Sequence, residues 1–410
     1  MNDAAPRRLK GRTSAETRSA VLDLIRAGEG ISRAELALAS SLTEATISKI
    51  VRQLLDEGII IEAGRGRSTG GKRPTLLTLN TGRLYALGVA LDRWSTVLVL
   101  CGLNGSVVDR TVAAGSGSQS PRRVVSRAAG HVRTLLQRNG VDPSDVVGLG
   151  VATSGRRRGP DGWGVDAAIA DVWDTFDTAS ELEARTGIRV VMENDANCAA
   201  LGSFWTGTDA RRDFMTVYMS TGIGAGIVLG GSLYRGASGN AGEIGHVVVD
   251  PEGAECWCGG RGCLETVGPP RGVVRTVAAD PVLSRRFLPG GPAQDRGASE
   301  PFGQIARAYR AGDGAAEELI ENAAQQVATV VLGLVNTLDL DEVRLAGPGF
   351  ATLGEVYVRA VRERLAASAV SRGLHDVVVE LGEVGPDVTA IGAASLVLHS
   401  SLTPHYAARL

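Results

Sequence analysis

Residues 236–265 read GASGNAGEIGHVVVDPEGAECWCGGRGCLE, and this stretch decides how the rest of the chain is interpreted. It holds one histidine and three of the chain's five cysteines, in the order H-x9-C-x-C-x4-C. An imidazole and three thiolates are the ligands of a tetrahedral structural zinc ion, and the intervening glycines permit the tight turns of such a loop. The alternative, a set of free buried thiols, gives no reason for this clustering. We therefore predict a structural Zn²⁺ site with the ligands His246, Cys256, Cys258 and Cys263.

Two acids flank the predicted metal loop. Glu243 lies three residues before His246, and Glu265 lies two residues after Cys263, so closure of the loop fixes both carboxylates. Converging acceptors on a rigid frame suit the hydroxyls of a neutral polyol, which need charge-assisted hydrogen bonds to offset desolvation. Taken alone, the two glutamates could equally be solvated surface residues.

The motifs GNAGEIGH and CWCGGRGCLE resemble the double signature of the ROK family, which groups bacterial sugar kinases with sugar-responsive transcriptional regulators. The similarity covers nearly the whole chain. It implies an α/β body with the two-lobed actin-like ATPase fold, in which two lobes close on a cleft. It also implies a sugar site, with one ring nitrogen of the histidine on zinc and its opposite edge toward the ligand. The residues implied for that site are Asn194, Asp195, Glu243, His246 and Glu265.

The bulk properties indicate an intracellular globular protein of two or three domains. The chain has 410 residues, of which 44% are hydrophobic and 21% charged. No apolar run follows the basic start of the chain and none is long enough to span a bilayer, so neither a signal peptide nor a membrane segment is expected. An odd number of cysteines, three of them in a metal pattern, fits a reducing cytoplasm. We therefore expect a cytoplasmic protein, associated with the nucleoid where it binds DNA.

The N-terminal part differs in charge from the rest. Residues 1–80 contain 13 Lys and Arg against 9 Asp and Glu, a net charge of +4, whereas the remainder contains 30 against 36. A basic head on an acidic body favours an anionic partner for the head. We predict a disordered tail at 1–15 and a winged helix-turn-helix DNA-binding domain at 16–80.

Three amphipathic segments support the helix-turn-helix. An apolar face at residues 21–25 indicates the first helix, Ser32 to Glu35 form a capping box that opens the second, and Thr43 caps a third that ends near Asp56. The third helix has a small, polar and basic outer face, which suits a major groove. An ordinary three-helix packing module is the alternative. The residues predicted to contact double-stranded DNA from this helix are Thr43, Ala45, Thr46, Ser48, Lys49 and Arg52.

A β-hairpin follows, with the composition of a wing. Residues 59–61 and 76–79 read as strands, and the loop AGRGRSTGGKRP between them has four basic residues and no acid. Glycines with arginines suit a phosphate backbone or a narrow minor groove. This loop also resembles the wing and GGRP-like linker of ROK regulators, with Lys72 as a departure. The predicted wing contacts are Arg65, Arg67, Lys72 and Arg73.

The resemblance raises the question of kinase activity, because ROK kinases carry D-x-G-G-T in their first hairpin. Here the stretch is Asp92-Arg93-Trp94-Ser95-Thr96, so an indole and a serine replace two glycines that let ATP phosphates approach the backbone. A later glycine pair appears only as Ala346-Gly347-Pro348-Gly349. The loop at 220–226 keeps the family's pattern, but it also fits a plain tight hairpin. We therefore predict that the chain is not an enzyme.

The predicted sugar-binding segment matches the family better than the nucleotide-binding motifs do. Residues 193–197 read ENDAN, as in the family, where the asparagine binds sugar hydroxyls and the aspartate is the general base of the kinases. We assign Asp195 a binding role as a vestigial base, with helix capping as the alternative. In the segment at 152–164, Ser154 stands where the family has proline and three arginines follow, which favours an acidic or phosphorylated sugar unless they are a solvated surface run.

The pattern of predicted strands and helices in the rest of the chain indicates two α/β lobes, and the sequence shows no internal repeat. Strands alternating with helices indicate α/β layers, and we expect a small lobe at 81–196, completed by 388–410, and a large lobe with the zinc loop at 197–387. The whole predicts a sugar-controlled transcriptional regulator, a repressor acting as a homodimer or homotetramer. Two alternatives stay open: an active ATP-dependent sugar kinase with an added DNA-binding domain, and a DNA-binding scaffold without sugar sensing.

Overall fold

The computed structural model describes residues 14–28, 30–66, 73–92, 95–117, 119–154, 156–158, 162–164, 173, 176–206, 213–220, 222–289, 299–385 and 387–402. Several predicted features lie outside these residues. They are the tail up to residue 13, the end of the chain from residue 403, and the side chains of Arg67, Lys72, Arg93 and Trp94.

The N-terminal head has three helices and a three-stranded sheet of order β1-β3-β2. Helix α1 begins at Ser14, two residues before the predicted start of the domain, so residues 14 and 15 are helical and do not belong to the predicted disordered tail. The short strand β1, which pairs antiparallel with β3, was not predicted. The capping box is confirmed, because the Ser32 hydroxyl accepts from the Glu35 amide and the Glu35 carboxylate accepts from the Ser32 amide. The elements of the head are α1 (Ser14–Ala27), β1 (Ile31–Ser32), α2 (Arg33–Ser40), α3 (Glu44–Asp56), β2 (Ile60–Arg65) and β3 (Thr75–Leu79).

The first lobe of the body contains a five-stranded sheet of order β10-β7-β4-β5-β6 and a small separate hairpin, β8-β9. Strands β4, β5 and β6 form an antiparallel meander, and β7 and β10 add to it in parallel. The elements are β4 (Tyr85–Leu91), β5 (Ser95–Gly102), β6 (Val107–Ala114), α4 (Pro121–Asn139), β7 (Val146–Thr153), β8 (Arg156–Arg158), β9 (Gly162–Gly164), α5 (Thr178–Thr186), β10 (Val190–Asn194) and α6 (Asp195–Thr206).

The second lobe repeats this arrangement with a sheet of order β13-β12-β11-β14-β15. Its first three strands are again an antiparallel meander, and β14 and β15 again add in parallel. The predicted two-lobed α/β body is thus confirmed, and the shared topology is a repeat that the sequence does not display. The elements are β11 (Phe214–Met219), β12 (Ile223–Leu229), β13 (Ser232–Leu233), α7 (Pro270–Ala279), α8 (Pro281–Phe287), α9 (Ser299–Arg310), α10 (Gly314–Leu338), β14 (Glu342–Ala346), α11 (Gly354–Ser368), β15 (Val378–Leu381) and α12 (Val388–Leu402).

Helix α12 returns from the second lobe to the sheet of the first. A Cβ atom on Gly88 would lie 1.8 Å from the Ala390 carbonyl oxygen, and one on Gly150 would lie 1.9 Å from that of Ala393. The helix backbone therefore rests directly on strands β4 and β7, which only glycine permits. The expected return of the last helix to the first lobe is confirmed.

Head and body share one apolar cluster. Buried residues of α1, including Val21 and Ile25, belong to the same cluster as Leu103 of the first lobe and Leu398 of α12. Helix α6 packs on α12 and on strands β11 and β12, so it lies at the junction of the lobes, and the division predicted at residues 196–197 falls inside it. Within the described residues, no helix is sufficiently long and hydrophobic to span a membrane.

Candidate functional site

The four predicted zinc ligands converge. Their donor atoms all lie within 4.8 Å of one another. The Cys256 sulfur lies 3.6 Å from Nδ1 of His246, and the Cys258 sulfur lies 3.7 Å from that of Cys263. Around a tetrahedral zinc ion with Zn–S bonds of about 2.3 Å, ligand atoms are about 3.5 to 3.8 Å apart. The donor set and its spacing therefore fit a tetrahedral zinc ion.

Backbone pairing gives the metal loop its shape. Val248 and Cys263 form an isolated antiparallel bridge, and the Cys256 amide donates to the Gly260 carbonyl at 2.9 Å. Gly262 has φ +66° and approaches the Asp250 carbonyl so closely that a Cβ atom would lie 1.4 Å from its oxygen. The glycine-rich sequence is thus required by the turns that gather the ligands.

His246 connects the metal loop to the predicted sugar site. The short 3-10 turn Ile244–His246 follows Glu243 directly. With Nδ1 facing the Cys256 sulfur, the opposite ring nitrogen, Nε2, lies 3.9 Å from the Glu243 carboxylate. A carboxylate near the second nitrogen is the usual way a metal-binding histidine is oriented. The predicted approach of this ring edge to a sugar stays a prediction.

Glu265 is held by the glycine loop that follows β11. Its Oε2 accepts from the Ile223 amide at 3.1 Å. A Cβ atom on Gly222 would lie 2.7 Å from Oε1, and one on Gly245 would lie 2.9 Å from Oε2. Burial raises the pKa of Glu265 to about 7. The two glycines therefore make room for a carboxyl group that has little water around it.

The start of helix α6 supplies the third acid. The Asn194 side-chain oxygen accepts from the amides of Ala196 and Asn197, at 2.8 and 3.3 Å, and Asp195 Oδ1 also accepts from the Ala196 amide at 2.8 Å, so both residues take part in the helix cap. The pKa of Asp195 is raised to about 7, mainly by burial and in addition by the charges of Asp92 and Glu243. The Glu243 charge also raises the pKa of Glu265. Glu243 therefore lies near enough to both Asp195 and Glu265 for its charge to raise their pKa values.

The sequence does not predict the buried ion pair between Arg235 and Glu193. Arg235, just after β13, donates through Nε to the Glu193 carboxylate at 2.8 Å, and Glu193 is only 3% exposed. The other carboxylate oxygen accepts from the Asn197 side-chain amide at 3.1 Å. The pair joins the two lobes at the first residue of the ENDAN segment. Its partners are distant in sequence and no spacing rule connects them.

The glycines of the predicted nucleotide elements have packing roles. In strand β12, a Cβ atom on Gly226 would lie 2.4 Å from the Ala196 carbonyl oxygen, and one on Gly224 would lie 3.3 Å from the Ala196 methyl group. Gly347 has φ +102° and a Cβ atom there would lie 2.5 Å from the Met219 carbonyl oxygen. These glycines are needed by the fold, which favours the alternative of a plain hairpin at 220–226.

The first hairpin of the body turns where the sequence predicts. The Asp92 amide donates to the Ser95 carbonyl at 3.1 Å, and β4 pairs with β5 up to the residue after Ser95. The two residues between them, Arg93 and Trp94, lie outside the described residues. The steric argument against ATP therefore stays a prediction.

The outer face of α3 is arranged as predicted. Ala45, Lys49 and Arg52 are exposed, whereas Ile47, Ile50, Val51 and Leu54 are buried against the head. Thr43 is also exposed, but its Oγ1 accepts from the Thr46 amide at 3.3 Å and lies 2.9 Å from the Thr46 hydroxyl, so both threonines are engaged in the helix cap. Ser48 is half-buried.

The wing is a paired hairpin at its base. The Gly66 amide donates to the Pro74 carbonyl at 2.8 Å, which extends the β2–β3 pairing toward the tip. Arg65 and Arg73 are exposed on either side of it. Two of the four predicted wing cations are therefore located at the base of the tip, and the other two lie outside the described residues.

Comparison with known sequences decides the family. The profile described as ROK family matches residues 89–400. The chain belongs to the ROK family. A second profile, described as winged helix-turn-helix DNA-binding, matches residues 15–61. The family assignment drawn from the two cysteine and glycine motifs is confirmed.

Relatives of this ROK protein include both regulators and kinases. The chain is 27% identical over 382 residues to a protein named putative xylose repressor from Caldicellulosiruptor sp. (strain Rt8B.4), which covers 92% of this chain and 94% of the relative. It is 28% identical over 313 residues to a glucokinase from Halalkalibacterium halodurans, covering 75% of this chain and 94% of the relative. A crystal structure described as a ROK family transcriptional regulator, homolog of E. coli MLC, superposes with a TM-score of 0.72 over 97% of this chain and 99% of that chain, at 22% identity. The similarity to the repressor includes the head, and the structural match shows that the whole architecture is shared.

Proposed function

We propose that this ROK protein is a sugar-responsive, DNA-binding transcriptional repressor of carbohydrate metabolism genes. The observation that carries the proposal is the joining of a winged helix-turn-helix at residues 15–61 to a ROK body at residues 89–400. A relative named as a repressor is similar over nearly the full length of both chains, whereas the glucokinase is similar over only three quarters of this chain. The extra quarter is about the size of the head.

The sugar site lies in the cleft where the carboxyl groups converge. Asp195, Glu243 and Glu265 accept hydrogen bonds from sugar hydroxyls, and Asn194 holds the helix start that presents the aspartate. His246 contributes the ring edge that faces Glu243. The shared electrostatics of the three acids and their anchorage on helix, turn and loop support this assignment.

A structural zinc ion holds the sugar loop in place. His246, Cys256, Cys258 and Cys263 are its ligands, and their spacing and chemistry support the metal. Bound there, zinc would supply rigidity to the turns that carry Glu243 and Glu265, because His246 lies three residues after Glu243 and Cys263 lies two residues before Glu265.

The head binds operator DNA through α3 and the wing. Lys49 and Arg52 are exposed on α3 beside the small side chain of Ala45, and Arg65 and Arg73 flank the wing tip. Ser48 and the capping threonines lie on the edge of the same face. Arg67 and Lys72 extend the basic wing in the sequence. The protein acts in the cytoplasm as a homodimer or homotetramer, since a two-fold operator is read by paired heads.

The chain divides into a DNA-binding domain at 16–80, a small lobe at 81–196 completed by 388–410, and a large lobe at 197–387. Sugar binding favours one arrangement of the lobes and so changes the spacing of the heads. A coupling free energy of about 1–3 kcal/mol is sufficient for such a switch.

The body is catalytically silent because Trp94 and Ser95 replace the phosphate-binding glycines of the first hairpin. An active sugar kinase with a DNA-binding head is the second candidate, favoured by the retained Asp195 and by the glucokinase relative. A coupled assay of ATP consumption over a panel of sugars separates the two. We expect no sugar-dependent ATP consumption. Such consumption would contradict the proposal that the body lacks kinase activity.

The proposed function is tested by genome-wide footprinting of the full-length chain, followed by binding to the recovered sites with and without sugars. We expect sites beside genes for sugar transport and catabolism, and a sugar that changes their affinity. A scaffold without sugar sensing would instead show no carbohydrate that stabilises the chain in a thermal-shift screen, and that outcome contradicts the proposal.

A further inference from the structure

Helix α6 reaches from the candidate sugar site to the DNA-binding head. Asp195 is its first residue and Thr206 its last, so its ends are about 17 Å apart at a rise of about 1.5 Å per residue. The first turn carries the raised-pKa carboxyl group of the cleft. The last turn carries Phe204 and Trp205, which face the head.

An arginine of the head contacts the C-terminal end of this helix. Arg26, in the last turn of α1, donates through Nη1 to the Trp205 carbonyl oxygen. Its guanidinium carbon lies 5.0 Å from the centre of the Trp205 ring system and 5.3 Å from that of Phe204. The carbonyl groups in the last turn of a helix lack partners within the helix, and a cation there also meets the negative end of the helix dipole. One side chain of α1 therefore supplies three favourable contacts to the end of α6.

The Arg26 side chain is only 6% exposed. A guanidinium group withdrawn from water is stable only where hydrogen bonds and aromatic faces replace its hydration. Asp23, one turn earlier, is 3.9 Å away and adds a further favourable charge. Because so much of the stabilisation comes from α6, the position of Arg26 is tied to the position of that helix end.

A second arginine holds the same helix end from the large lobe. Arg344 donates to the Ser203 carbonyl at 2.9 Å and lies 5.3 Å from the centre of the Phe214 ring. Phe214 in turn stacks on Phe204, with ring centres 6.2 Å apart and planes inclined by 16°. We call Arg26, Phe204, Trp205, Phe214 and Arg344 the arginine–aromatic stack. It runs without a gap from the head, across the end of α6, to strand β14.

The indole of Trp205 is fixed on its other side by the small lobe. The residue is 3% exposed, its Nε1 donates to the Leu103 carbonyl at 3.2 Å, and its ring lies 6.0 Å from that of His399 on α12. Head, small lobe and large lobe thus all contact the last turn of one helix. A shift of that helix cannot be absorbed by a loose side chain at its end.

We propose that Arg26 couples the sugar site to the DNA-binding head, by tying the orientation of α1 to the end of helix α6 through the arginine–aromatic stack. The proposal rests on the proposed function, since it names the route of the sugar response. Ligand contacts at the first turn of α6, or closure of the lobes across it, displace the carbonyl group and rings that hold Arg26. A planar, buried guanidinium is sensitive to displacements of about an ångström, because both its hydrogen bond and its ring contacts depend on geometry.

The experiment compares Arg26→Met with Arg18→Met in the full-length chain. Both arginines lie on α1, but Arg18 donates to the Glu57 carboxylate at 2.7 and 2.6 Å, a contact within the head. Two quantities are measured: amide hydrogen exchange of residues 14–27 and 203–206, and the affinity for a DNA duplex selected by the wild-type chain from a random-sequence library. The DNA affinity is measured without sugar and in the presence of D-xylose, D-glucose or N-acetyl-D-glucosamine.

In Arg26→Met we expect faster exchange at residues 203–206 than in Arg18→Met, and a reduced sugar effect on DNA affinity. Allosteric coupling commonly changes affinity by about 5- to 150-fold, and the variant should retain no more than about a threefold change while the sugar still binds in calorimetry. A wild-type-like sugar effect in Arg26→Met overturns the proposal. If none of the three sugars changes the DNA affinity of the wild type, the proposed function is not supported. In that case, amide hydrogen exchange at residues 203–206 that is the same in Arg26→Met and in the wild type overturns the coupling through Arg26 as well.

Phe204→Leu provides a second variant in case Arg26→Met unfolds the head. It keeps the charge and removes the ring between Arg26 and Phe214. The same two readouts apply, with circular dichroism to verify that the head stays helical. A folded Phe204→Leu chain with unchanged exchange and unchanged sugar response contradicts the proposal.

Discussion

The carboxyl group of Asp195 gives a quantitative test of the candidate sugar site. Its ordinary pKa of 3.8 is raised to about 7, first by burial and then by the charges of Asp92 and Glu243. An acid with a raised pKa loses its proton more readily in the unfolded chain than in the folded one. The folded state is therefore penalised as the pH rises above the ordinary pKa, and the penalty is complete above the folded pKa.

The substitution Asp195→Asn keeps the shape of the side chain and removes this titration. The pKa shift of about three units corresponds to about 4 kcal/mol at 1.36 kcal/mol per unit, and about 2 kcal/mol of it develops between pH 5 and pH 7. In the absence of sugar, we expect the variant to gain stability relative to the wild type by about this amount across that interval. The same change should weaken sugar binding, because an ionised acceptor is lost.

The difference is measured by urea unfolding of the body at several values of pH between 5 and 8, comparing the same transition in both chains. Asp142→Asn is a matched control, since hydrogen bonds from Ser144 lower the pKa of Asp142 and it stays ionised throughout this interval. A stability difference for Asp195→Asn that stays constant, or falls, from pH 5 to pH 7 would refute the assignment of a buried, proton-binding acid to this position.

Three further outcomes are expected. Cys258→Ser should reduce bound zinc, measured by metal analysis, from one ion per chain to a small fraction and lower the melting temperature, because a three-ligand site holds the ion weakly. Gly242→Ala should destabilise the body by about 2 kcal/mol or more in chemical unfolding, since φ is +87° and the added Cβ atom would lie 1.8 Å from the Ala225 carbonyl oxygen. Gly140→Ala is the control: its φ is +63° but no atom lies within 4 Å of the added Cβ atom, so it should destabilise the chain by only about 1 kcal/mol. Lys49→Ala should weaken binding to operator DNA in a gel-shift assay and reduce its salt dependence, and an undiminished affinity would remove this residue from the interface.

Much of the local structure follows from the sequence because it depends on near neighbours. The capping box at Ser32, the cap at Thr43 and the buried face of α3 are set by contacts within one or two helical turns. The same holds for the predicted metal loop, whose four candidate ligands span eighteen positions and whose donor atoms come together as their spacing requires. In these places the pattern of residue types already specifies the geometry.

Other features arise from contacts between distant segments. The Glu193–Arg235 ion pair joins residues 42 positions apart, and the contact of Arg26 with Trp205 joins residues 179 positions apart. The pairing of β1 with β3 involves a strand of two residues, which is too short to give a periodic signal in the sequence. The repeated topology of the two sheets is likewise absent from the sequence, because hydrogen-bonded strand order places few restrictions on side chains.

The sequence by itself determined the family, the winged helix-turn-helix, the convergence of one histidine and three cysteines, and the acids beside them, because glycine turns, helix caps and metal-ligand spacing are local and chemically specific. Only the tertiary structure decided that the glycines of β12 serve helix packing, that the charge of Glu243 raises the pKa values of Asp195 and Glu265, and that the last turn of α6 meets the head. Burial and long-range electrostatics depend on which surfaces the folded chain brings together, and those surfaces come from segments that no local pattern connects.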